Sequence, residues 1–392
     1  MPAKFTRHDF SARIYMLRII VPAILLFILI SCRKDSSSPP PPDEGNPPDT
    51  TDTTGNDPDT PVITTRVILD NLSFPWDIFY GPDDHIWMTE KGGRISRVNP
   101  ETGEVIPLIT IDDVVARGEG GLLGIALSLP MDGTSYLFAA YNYQDGDDYK
   151  QKIVRYRYSA NSLSDPLIIH DDVEGAGIHN GCRLVISKDG KLLATTGDAS
   201  NTSLPQNFAS RNGKVLRMNF DGSIPSDNPD RTSTVWSVGH RNPQGLVYVN
   251  DSLFSSEHGP DSDDEINIIH RGGNYGWPNV KGKCEASEET FCFDNNVVEP
   301  VVSWTPTIAV SGIDYYNNDL LPQWKNSLLV CTLKDETLYQ LELNDSGSEI
   351  VKSTKFFNGE FGRLRDVCSA PNGKVYLCTS NGDGDQLIEI SN

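Results

Sequence analysis

Residues 77–99 read DIFYGPDDHIWMTEKGGRISRVN, in which strand-like apolar runs flank a PDD turn. The same order recurs at residues 183–198, RLVISKDGKLLATTGD, and at residues 245–259, GLVYVNDSLFSSEHG. A fourth copy, at residues 366–390, reads DVCSAPNGKVYLCTSNGDGDQLIEI. Each copy places a turn containing Asp, Asn or Gly between runs of Val, Ile, Leu and Tyr. This is the composition of a β-hairpin.

Two further copies with longer turns occupy residues 121–143 and 311–343. Repeats of this size stacked around an axis indicate a β-propeller, so we predict an all-β, six-bladed β-propeller over residues 62–392. The early strand VITTRVIL, residues 62–69, is expected to pair with the last blade and close the ring. Sustained helical periodicity is missing from the sequence, so we expect only short helical pieces in loops. On the hairpins alone, a β-sandwich is the alternative.

The first 61 residues differ from the rest of the chain. Residues 1–31 place basic residues before the apolar run IIVPAILLFILI, which is too short to cross a bilayer and predicts a signal peptide. The run ends at Cys32, in a sequence that resembles a bacterial lipoprotein box, where the cysteine carries the lipid after cleavage; an ordinary signal peptide is the alternative. Residues 32–61 predict a flexible acidic tether. We therefore expect a protein of the cell envelope, lipid-anchored at the periplasmic side of the outer membrane or at the cell surface.

Charge and cysteine content narrow the classes of partner. The formal net charge of the 392 residues is -21, and an anionic surface repels phosphate backbones, so we expect no nucleic-acid partner. Export permits disulfides, and Cys284 and Cys292, which flank the loop EASEETF, form the predicted pair. The C-x-x-C spacing typical of metal sites does not occur, which disfavours a metal role for cysteine.

The motifs IHNGCRL and TTGD flank one predicted hairpin. His179 precedes its first strand and Asp198 follows its second, so the hairpin should place both side chains at the same end. A carboxylate fixes the tautomer of a histidine and suits it to general-base catalysis near neutral pH. Taken alone, such a pair is more commonly a histidine that is hydrogen-bonded inside a polar loop.

Cationic residues are scarce in this acidic chain, and several lie at predicted strand ends. Arg241 and Asn242 stand in VGHRNPQGLVY, where the guanidinium group could bind a planar carboxylate or tie neighbouring loops together. Arg363 and Arg365 alternate in FGRLRDV and so face one side of a strand. Two cations on one face repel unless an anion lies between them. Together with Lys334 of CTLKDETLYQL and Arg241, they predict a pocket for a polyanionic small molecule.

The stretch SSEHGPDSDDEINIIHRGGNYGWPNV, residues 255–280, combines five carboxylates with the Gly259–Pro260 bend. Carboxylates and free carbonyls in such a loop suit a hard cation such as calcium, although an EF-hand is excluded by the spacing. A solvated acidic loop is the alternative. The carboxylates are Glu257, Asp261, Asp263, Asp264 and Glu265.

These motifs together resemble the soluble PQQ (pyrroloquinoline quinone)-dependent aldose sugar dehydrogenases, the glucose/sorbosone dehydrogenase family, whose members are six-bladed propellers. The resemblance runs from about Leu72 to the C-terminus and rests on ten motifs in the family's order. They are LSFPWDI, GEGGLLGIAL, HNGCRL, TTGD, NGKVLRMNFDGSIPSDNP, GHRNPQGL, EHGPDSDDEIN, NYGWPNV, TLKDETLY and RLRDV.

The resemblance implies a role for each matching residue. His179 matches the general base that takes the proton of the sugar's anomeric hydroxyl while hydride passes to the quinone, and Asp198 matches the carboxylate that orients it. Glu119 falls near substrate and quinone. The positions that match groups holding the cofactor are Arg241, Asn242, Lys334, Arg363 and Arg365. The positions that match the calcium loop are Gly259 and Pro260, through their carbonyls, and Asp264 as a supporting acid.

The expected activity is oxidation of aldoses with PQQ and calcium, and the electrons pass to an external acceptor. The chain departs from the family after NYGWPNV, where relatives often have a second calcium site and this sequence reads KGKCEASEETFC. Trp304 and Thr307 fall near the family's quinone-stacking wall. A non-catalytic propeller that binds glycans or proteins is the main alternative, and a calcium-dependent lactonase is a second.

Overall fold

The computed structural model describes residues 51–52, 61–128 and 133–392. The predicted signal peptide, Cys32 and most of the tether lie outside the described residues. Two residues of the tether, Thr51–Asp52 (β1), pair in parallel with a strand of the fifth blade. Within the described ranges, no helix has the length and apolar composition needed to span a membrane.

Six successive sheets, each with four antiparallel strands, confirm the predicted all-β, six-bladed propeller. Blade I contains β3 (Pro75–Tyr80), β4 (Ile86–Glu90), β5 (Arg94–Val98) and β6 (Val105–Thr110). Blade II contains β7 (Leu122–Leu127), β8 (Ser135–Asp145), β9 (Asp148–Ser159) and β10 (Ser162–Glu174). Blade III contains β11 (Gly181–Ile186), β12 (Leu192–Thr196), β13 (Lys214–Met218) and β14 (Val235–Val238).

The other three blades complete the ring. Blade IV contains β15 (Pro243–Val249), β16 (Ser252–Glu257), β17 (Asp264–Ile268) and β18 (Val302–Trp304). Blade V contains β19 (Val310–Tyr316), β20 (Ser327–Thr332), β21 (Leu338–Leu343) and β22 (Ile350–Phe356). Blade VI contains β23 (Leu364–Ser369), β24 (Val375–Thr379), β25 (Asp383–Ser391) and β2 (Thr64–Ser73).

The ring is closed by a strand from the beginning of the sequence. The early strand β2 pairs antiparallel with β25, with Thr64 opposite Ser391 and Val67 opposite Ile388. This pairing confirms the closure predicted from VITTRVIL. The last blade is thus assembled from both ends of the propeller sequence.

Neighbouring blades are joined by apolar packing and by hydrogen bonds around the axis. Phe138 of blade II packs with Leu192 of blade III in one buried cluster, and similar clusters fill the other blade contacts. Burying a side chain of this size stabilises the fold by roughly 1.5–3 kcal/mol. At the axis, Arg183 pairs with Asp77 and Asp366, whose side chains come from blades I and VI. The innermost strands surround a central cavity of about 310 Å³.

Helices are confined to connections, as predicted, within the residues that the structure describes. One is α1 (Glu289–Asn295), and the other is a single 3₁₀ turn at Pro322–Trp324. The predicted disulfide between Cys284 and Cys292 is confirmed, and it closes the loop that leads into α1.

Candidate active site

Most of the predicted site residues lie on two kinds of connector, which meet at one end of the channel; Arg365 lies within β23 and Asp264 begins β17. In every blade the first strand begins where the second strand ends, because the two strands are antiparallel. Residues that precede a first strand therefore lie beside residues that follow a second strand. The first group contains Glu119, His179, Arg241, Asn242 and Arg363. The second group contains Asp198, Gly259, Pro260 and Lys334.

His179 and Asp198 meet across the hairpin β11–β12, as its sequence predicts. Gly181 and Thr196 are opposite each other in the ladder, so the residues just outside them are neighbours. His179 Nδ1 lies 2.8 Å from Asp198 Oδ1, and the carboxylate is fully buried. A carboxylate can only accept a hydrogen bond, so Nδ1 carries the proton and Nε2 presents its lone pair.

Asp198 is itself held by groups from outside the hairpin. Its Oδ1 also accepts the backbone N–H of Ser200 at 2.7 Å, and its Oδ2 accepts the indole N–H of Trp277 at 2.9 Å. The guanidinium carbon of Arg241 lies 5.4 Å from the centre of the Trp277 ring, within the range of a cation–π contact. The carboxylate thus has a fixed orientation toward the imidazole.

Glu119 fixes the backbone of the histidine. Its Oε2 accepts the backbone N–H of His179 at 3.0 Å, and its own N–H donates to Gly177 at 2.7 Å. The adjoining Gly118 has φ +58°, and a Cβ there would lie 2.1 Å from the Gly177 oxygen. Glycine is required at this close approach of the two connectors.

Arg363 and Arg365 line one cavity of about 290 Å³ together with Glu119, so the two arginines share the side predicted from their spacing. Arg363 is exposed, whereas Arg365 is buried and donates to Gln244 Oε1 at 2.7 Å. Burial lowers the pKa of Arg365 to about 10, although the nearby Glu119 favours its charged form. The carboxylate of Glu119, which holds the backbone of His179, therefore also faces Arg363 and Arg365. These two arginines form the cationic wall of the site.

Arg241 and Asn242 join β15 to the rest of the site. Arg241 donates through its backbone to Glu257 and through Nη1 to the carbonyl oxygen of His258, at 3.2 Å in the second case. Burial lowers the pKa of Arg241, while the surrounding carboxylates oppose this shift. Asn242 is buried, and its Oδ1 accepts the backbone N–H of Gly181 at 3.1 Å. Its amide thereby fixes the start of the strand that follows His179.

Asp264 supports the bend at Gly259 and Pro260. Its Oδ1 accepts the backbone N–H of Gly259 at 2.8 Å, and its Oδ2 accepts that of Ile308 at 2.7 Å. Burial raises the pKa of Asp264, and these backbone donors oppose the rise. Both carboxylate oxygens are engaged, which leaves the backbone carbonyls of the bend as the candidate metal ligands. In the described part of the chain, no group of three His, Cys, Asp or Glu side chains is arranged for a metal ion.

Lys334 lies at the edge of the same region. It is exposed, and its Nζ donates to Thr307 Oγ1 at 3.2 Å. The preceding residue, Leu333, accepts a long 3.5 Å contact from Arg363, which brings this connector next to the cationic wall. Trp304 instead packs in the core between blades IV and V, where it meets Tyr339 edge-on.

The model of the glucose/sorbosone dehydrogenase family matches residues 72–389. The chain belongs to this family. The match begins at the leucine of LSFPWDI and contains all ten motifs, so the resemblance drawn from them is confirmed. Membership of this family makes the chain an oxidoreductase by descent. The matched region covers nearly the whole propeller.

Two relatives and one solved structure match over most of their lengths. Quinoprotein glucose dehydrogenase B of Acinetobacter calcoaceticus is 31% identical, over 82% of this chain and 86% of the relative. Aldose sugar dehydrogenase YliI of Escherichia coli is also 31% identical, over 84% of this chain and 93% of the relative. A solved structure of PQQ-bound aldose sugar dehydrogenase from Streptomyces coelicolor has a TM-score of 0.72 at 32% identity, over 84% of this chain and 98% of that one.

Three residues of this family member's site were not singled out from the sequence: Lys91, His258 and Trp277. Lys91 lines the cavity of the two arginines, and its Nζ donates to Gly118 at 2.8 Å. Burial lowers the pKa of Lys91, the charge of Arg365 lowers it further, and Glu119 opposes both. Lys91 and His258 each follow the second strand of a blade, as Asp198 and Lys334 do. Comparison of the hairpin repeats at that position would have identified them.

Proposed function

We propose that this protein is a PQQ- and calcium-dependent dehydrogenase that oxidises the anomeric hydroxyl of aldose sugars to lactones. The observation that carries the proposal is the 2.8 Å contact between His179 Nδ1 and Asp198 Oδ1. Glu119, which holds His179, lines the same cavity as Arg363 and Arg365. The relatives named as glucose and aldose sugar dehydrogenases support the choice of substrate class.

The buried donors of the site fit an anionic quinone. Nε of Arg241 and Nε of Arg365 are shielded from solvent and have no hydrogen-bond acceptor among the described residues. A buried donor left unpaired costs about 1–3 kcal/mol, and the carboxylates and carbonyls of PQQ would supply the acceptors. The neighbour solved with PQQ bound supports this assignment. The residues that would hold or frame the cofactor are Glu119, Arg241, Asn242, Lys334, Arg363 and Arg365.

The bend after β16 fits the cofactor's calcium ion. Calcium prefers oxygen ligands, and the carbonyls of Gly259 and Pro260 offer two while Asp264 fixes the backbone that carries them. When bound, the quinone and its calcium ion supply the acceptor for the hydride of the anomeric carbon.

The imidazole of His179 would act as the general base. Asp198 accepts a hydrogen bond from the Nδ1–H group, which leaves Nε2 unprotonated. Nε2 can therefore accept the proton of the sugar's hydroxyl group. The carboxylate then stabilises the imidazolium ion that forms, and Glu119 keeps the ring in place through the backbone. Such assistance contributes about 10²–10⁴-fold to the rate.

The sequence supports a place in the cell envelope. A lipid on Cys32 would anchor the chain at the membrane, and the acidic tether would separate the propeller from that surface. The electrons would pass to an acceptor outside the cytoplasm. The strongly negative charge of the chain disfavours nucleic acid as a partner on electrostatic grounds.

One reconstitution experiment tests the proposal. The purified chain is incubated with PQQ and calcium, and the reduction of an electron-accepting dye is followed across a panel of aldoses, with a chelator-treated sample as control. We expect sugar-dependent dye reduction that requires both additions. If the protein takes up no quinone, the proposal fails in favour of a glycan- or protein-binding propeller. If it hydrolyses lactones with calcium alone, it fails in favour of a lactonase.

A further inference from the structure

The backbone of the proposed base has an unusual conformation. His179 has φ +59°, in the left-handed region that a residue with a Cβ seldom occupies. Gly181 and Cys182, which follow it closely, have φ +63° and φ +74°. Backbone of this kind persists only where the surrounding structure holds it, and it is concentrated at functional sites. Specific contacts must therefore keep this connector in shape.

Asn180, which lies between His179 and Gly181, supplies such contacts from one side chain. Its Nδ2 donates to the oxygen of Ala176 at 2.9 Å, and its Oδ1 accepts the N–H of Ala176 at 3.2 Å. A single amide thus satisfies both backbone groups of a residue four positions earlier. Residues 176–180, which we call the base loop, are closed on themselves by this side chain.

The same amide ties the base loop to the neighbouring blade. Asn180 Oδ1 accepts from Gln151 Nε2 in β9 at 2.9 Å and from Asn142 Nδ2 in β8 at 3.1 Å. Only 2% of Asn180 is exposed to solvent. Its backbone oxygen accepts the N–H of Gly197, the residue before Asp198, at 3.2 Å. The base loop is thereby fixed to blade II on one side and to the β11–β12 hairpin on the other.

The conformation of the base loop decides where the imidazole points. Glu119 and Ala199, on two other connectors, hold the N–H and the oxygen of His179. These contacts fix where the residue lies, whereas the closed loop limits the dihedral angles that lead up to it. Relaxation of His179 to a negative φ would rotate its Cα–Cβ bond. The ring would then leave Asp198 Oδ1, which lies 2.8 Å from Nδ1.

We propose that Asn180 is a positioning residue for the general base, and that its buried amide keeps the left-handed backbone from which the His179 ring meets Asp198. This inference rests on the proposed function, and it adds a residue that acts only through His179. A displacement of reacting groups by about 1 Å can cost about 10²-fold in rate, so support of the base matters for turnover. Binding of the quinone should not depend on Asn180, because the residues proposed to hold it lie outside the base loop.

The test compares Asn180→Ala with the control Asn228→Ala. Asn228 is also buried, and its amide donates to the oxygens of Arg217 and Ser233 at 2.9 and 3.0 Å and accepts from Arg217 Nη1 at 3.0 Å. It lies between β13 and β14. Since β13 runs antiparallel to β12, this connection is at the opposite end of the propeller from His179. Both substitutions remove a buried amide with several partners, but only one touches the base loop.

Three quantities are measured for each protein. The first is kcat from dye reduction at saturating sugar, PQQ and calcium, and the second is the Kd for PQQ. The third is the NMR resonance of the His179 Nδ1–H proton in the free protein, which is assigned by its loss in His179→Ala. Asn180→Ala is also combined with His179→Ala, so that a double-mutant cycle shows whether Asn180 acts through the base.

We expect Asn180→Ala to lower kcat about 10- to 100-fold, to leave the Kd for PQQ within about twofold, and to shift or abolish the Nδ1–H resonance. In the His179→Ala background, the same substitution should change the residual kcat by less than about twofold. Asn228→Ala should keep the wild-type kcat and the wild-type resonance.

Unchanged kcat and resonance in Asn180→Ala would overturn the inference while the proposed function stands. Equal losses of kcat with and without His179, or an equal loss in Asn228→Ala, would overturn it in favour of general structural damage. If wild type shows the resonance but oxidises no sugar, the proposed function fails, and the resonance alone then decides whether Asn180 orients the imidazole. If Asn180→Ala does not fold, Asn180→Asp carries the same comparison, because it keeps the acceptor for Ala176 and loses only the donor.

Discussion

The indole N–H of Trp277 donates to Asp198 Oδ2 at 2.9 Å, although the two residues are 79 positions apart. The hydrogen bond links the connector after β12 to the loop between β17 and α1. Since the other oxygen of Asp198 holds His179, the orientation of the proposed base depends on a residue of the neighbouring blade.

Removal of the indole donor should slow turnover without loss of the cofactor. Trp277→Phe leaves one oxygen of a buried carboxylate unpaired, so we expect kcat to fall about 3- to 30-fold while the Kd for PQQ changes little. Trp304→Phe is the matched control, because the indole nitrogen of Trp304 has no partner among the described residues. Equal kcat values in the two variants would show that Trp277 does not orient the dyad.

The imidazole itself should matter for chemistry rather than for binding. His179→Ala is expected to bind PQQ and calcium but to lose about 10²–10⁴-fold in kcat. The measurement is dye reduction at saturating sugar, together with a separate titration of PQQ. His85→Ala, a substitution in the β3–β4 turn, should keep full activity. A fully active His179→Ala protein would remove the proposed base.

The exposed member of the arginine pair should contribute mainly to affinity. Arg363→Ala removes a cation that lines the proposed cofactor cavity, and we expect the Kd for PQQ to rise about 10-fold with a smaller change in kcat. Lys188→Ala removes the same charge from an exposed surface pair and is the control for net charge. If both variants weaken PQQ binding equally, the effect comes from overall charge and not from the site.

A channel carboxylate should make stability depend on pH. Burial raises the pKa of Asp314 from its ordinary value of 3.8 to about 6, so the folded protein binds this proton more tightly than the unfolded chain does. The stability that Asp314 contributes is therefore present below about pH 4 and is lost as the pH rises through 6.

Asp314→Asn keeps an oxygen that can accept the backbone N–H of Ser369 and removes the titration. We expect the free energy of unfolding of the variant, relative to wild type, to rise by up to about 3 kcal/mol between pH 4 and pH 6 and to stay level above. The measurement is urea unfolding at several pH values. A flat difference for Asp314→Asn would contradict the prediction.

The fold could be predicted because its signal is local. Each hairpin shows its turn and its alternating strands within about twenty residues, as in residues 183–198, and six copies indicate a ring. His179 and Asp198 could be paired for the same reason, since they flank one hairpin. The six-fold count and the closure by β2 then followed from the order of the copies.

The remaining site residues depend on contacts between blades, which no local pattern encodes. Trp277 reaches Asp198 only because the fold places two distant connectors side by side. Lys91 reaches Gly118 across the boundary between blades I and II. Asp264 is expected to support the bend only through the resemblance, and the donors that its two oxygens accept come from separate connectors, at Gly259 and at Ile308.

The pairing of β2 with β25 has a consequence for biosynthesis. The ribosome makes β2 before the strands of blades I to V, but its partner β25 only after them. A nascent chain therefore carries an unpaired strand edge throughout synthesis, and such edges favour aggregation. Ring closure has to wait until the strands of the last blade have been synthesised.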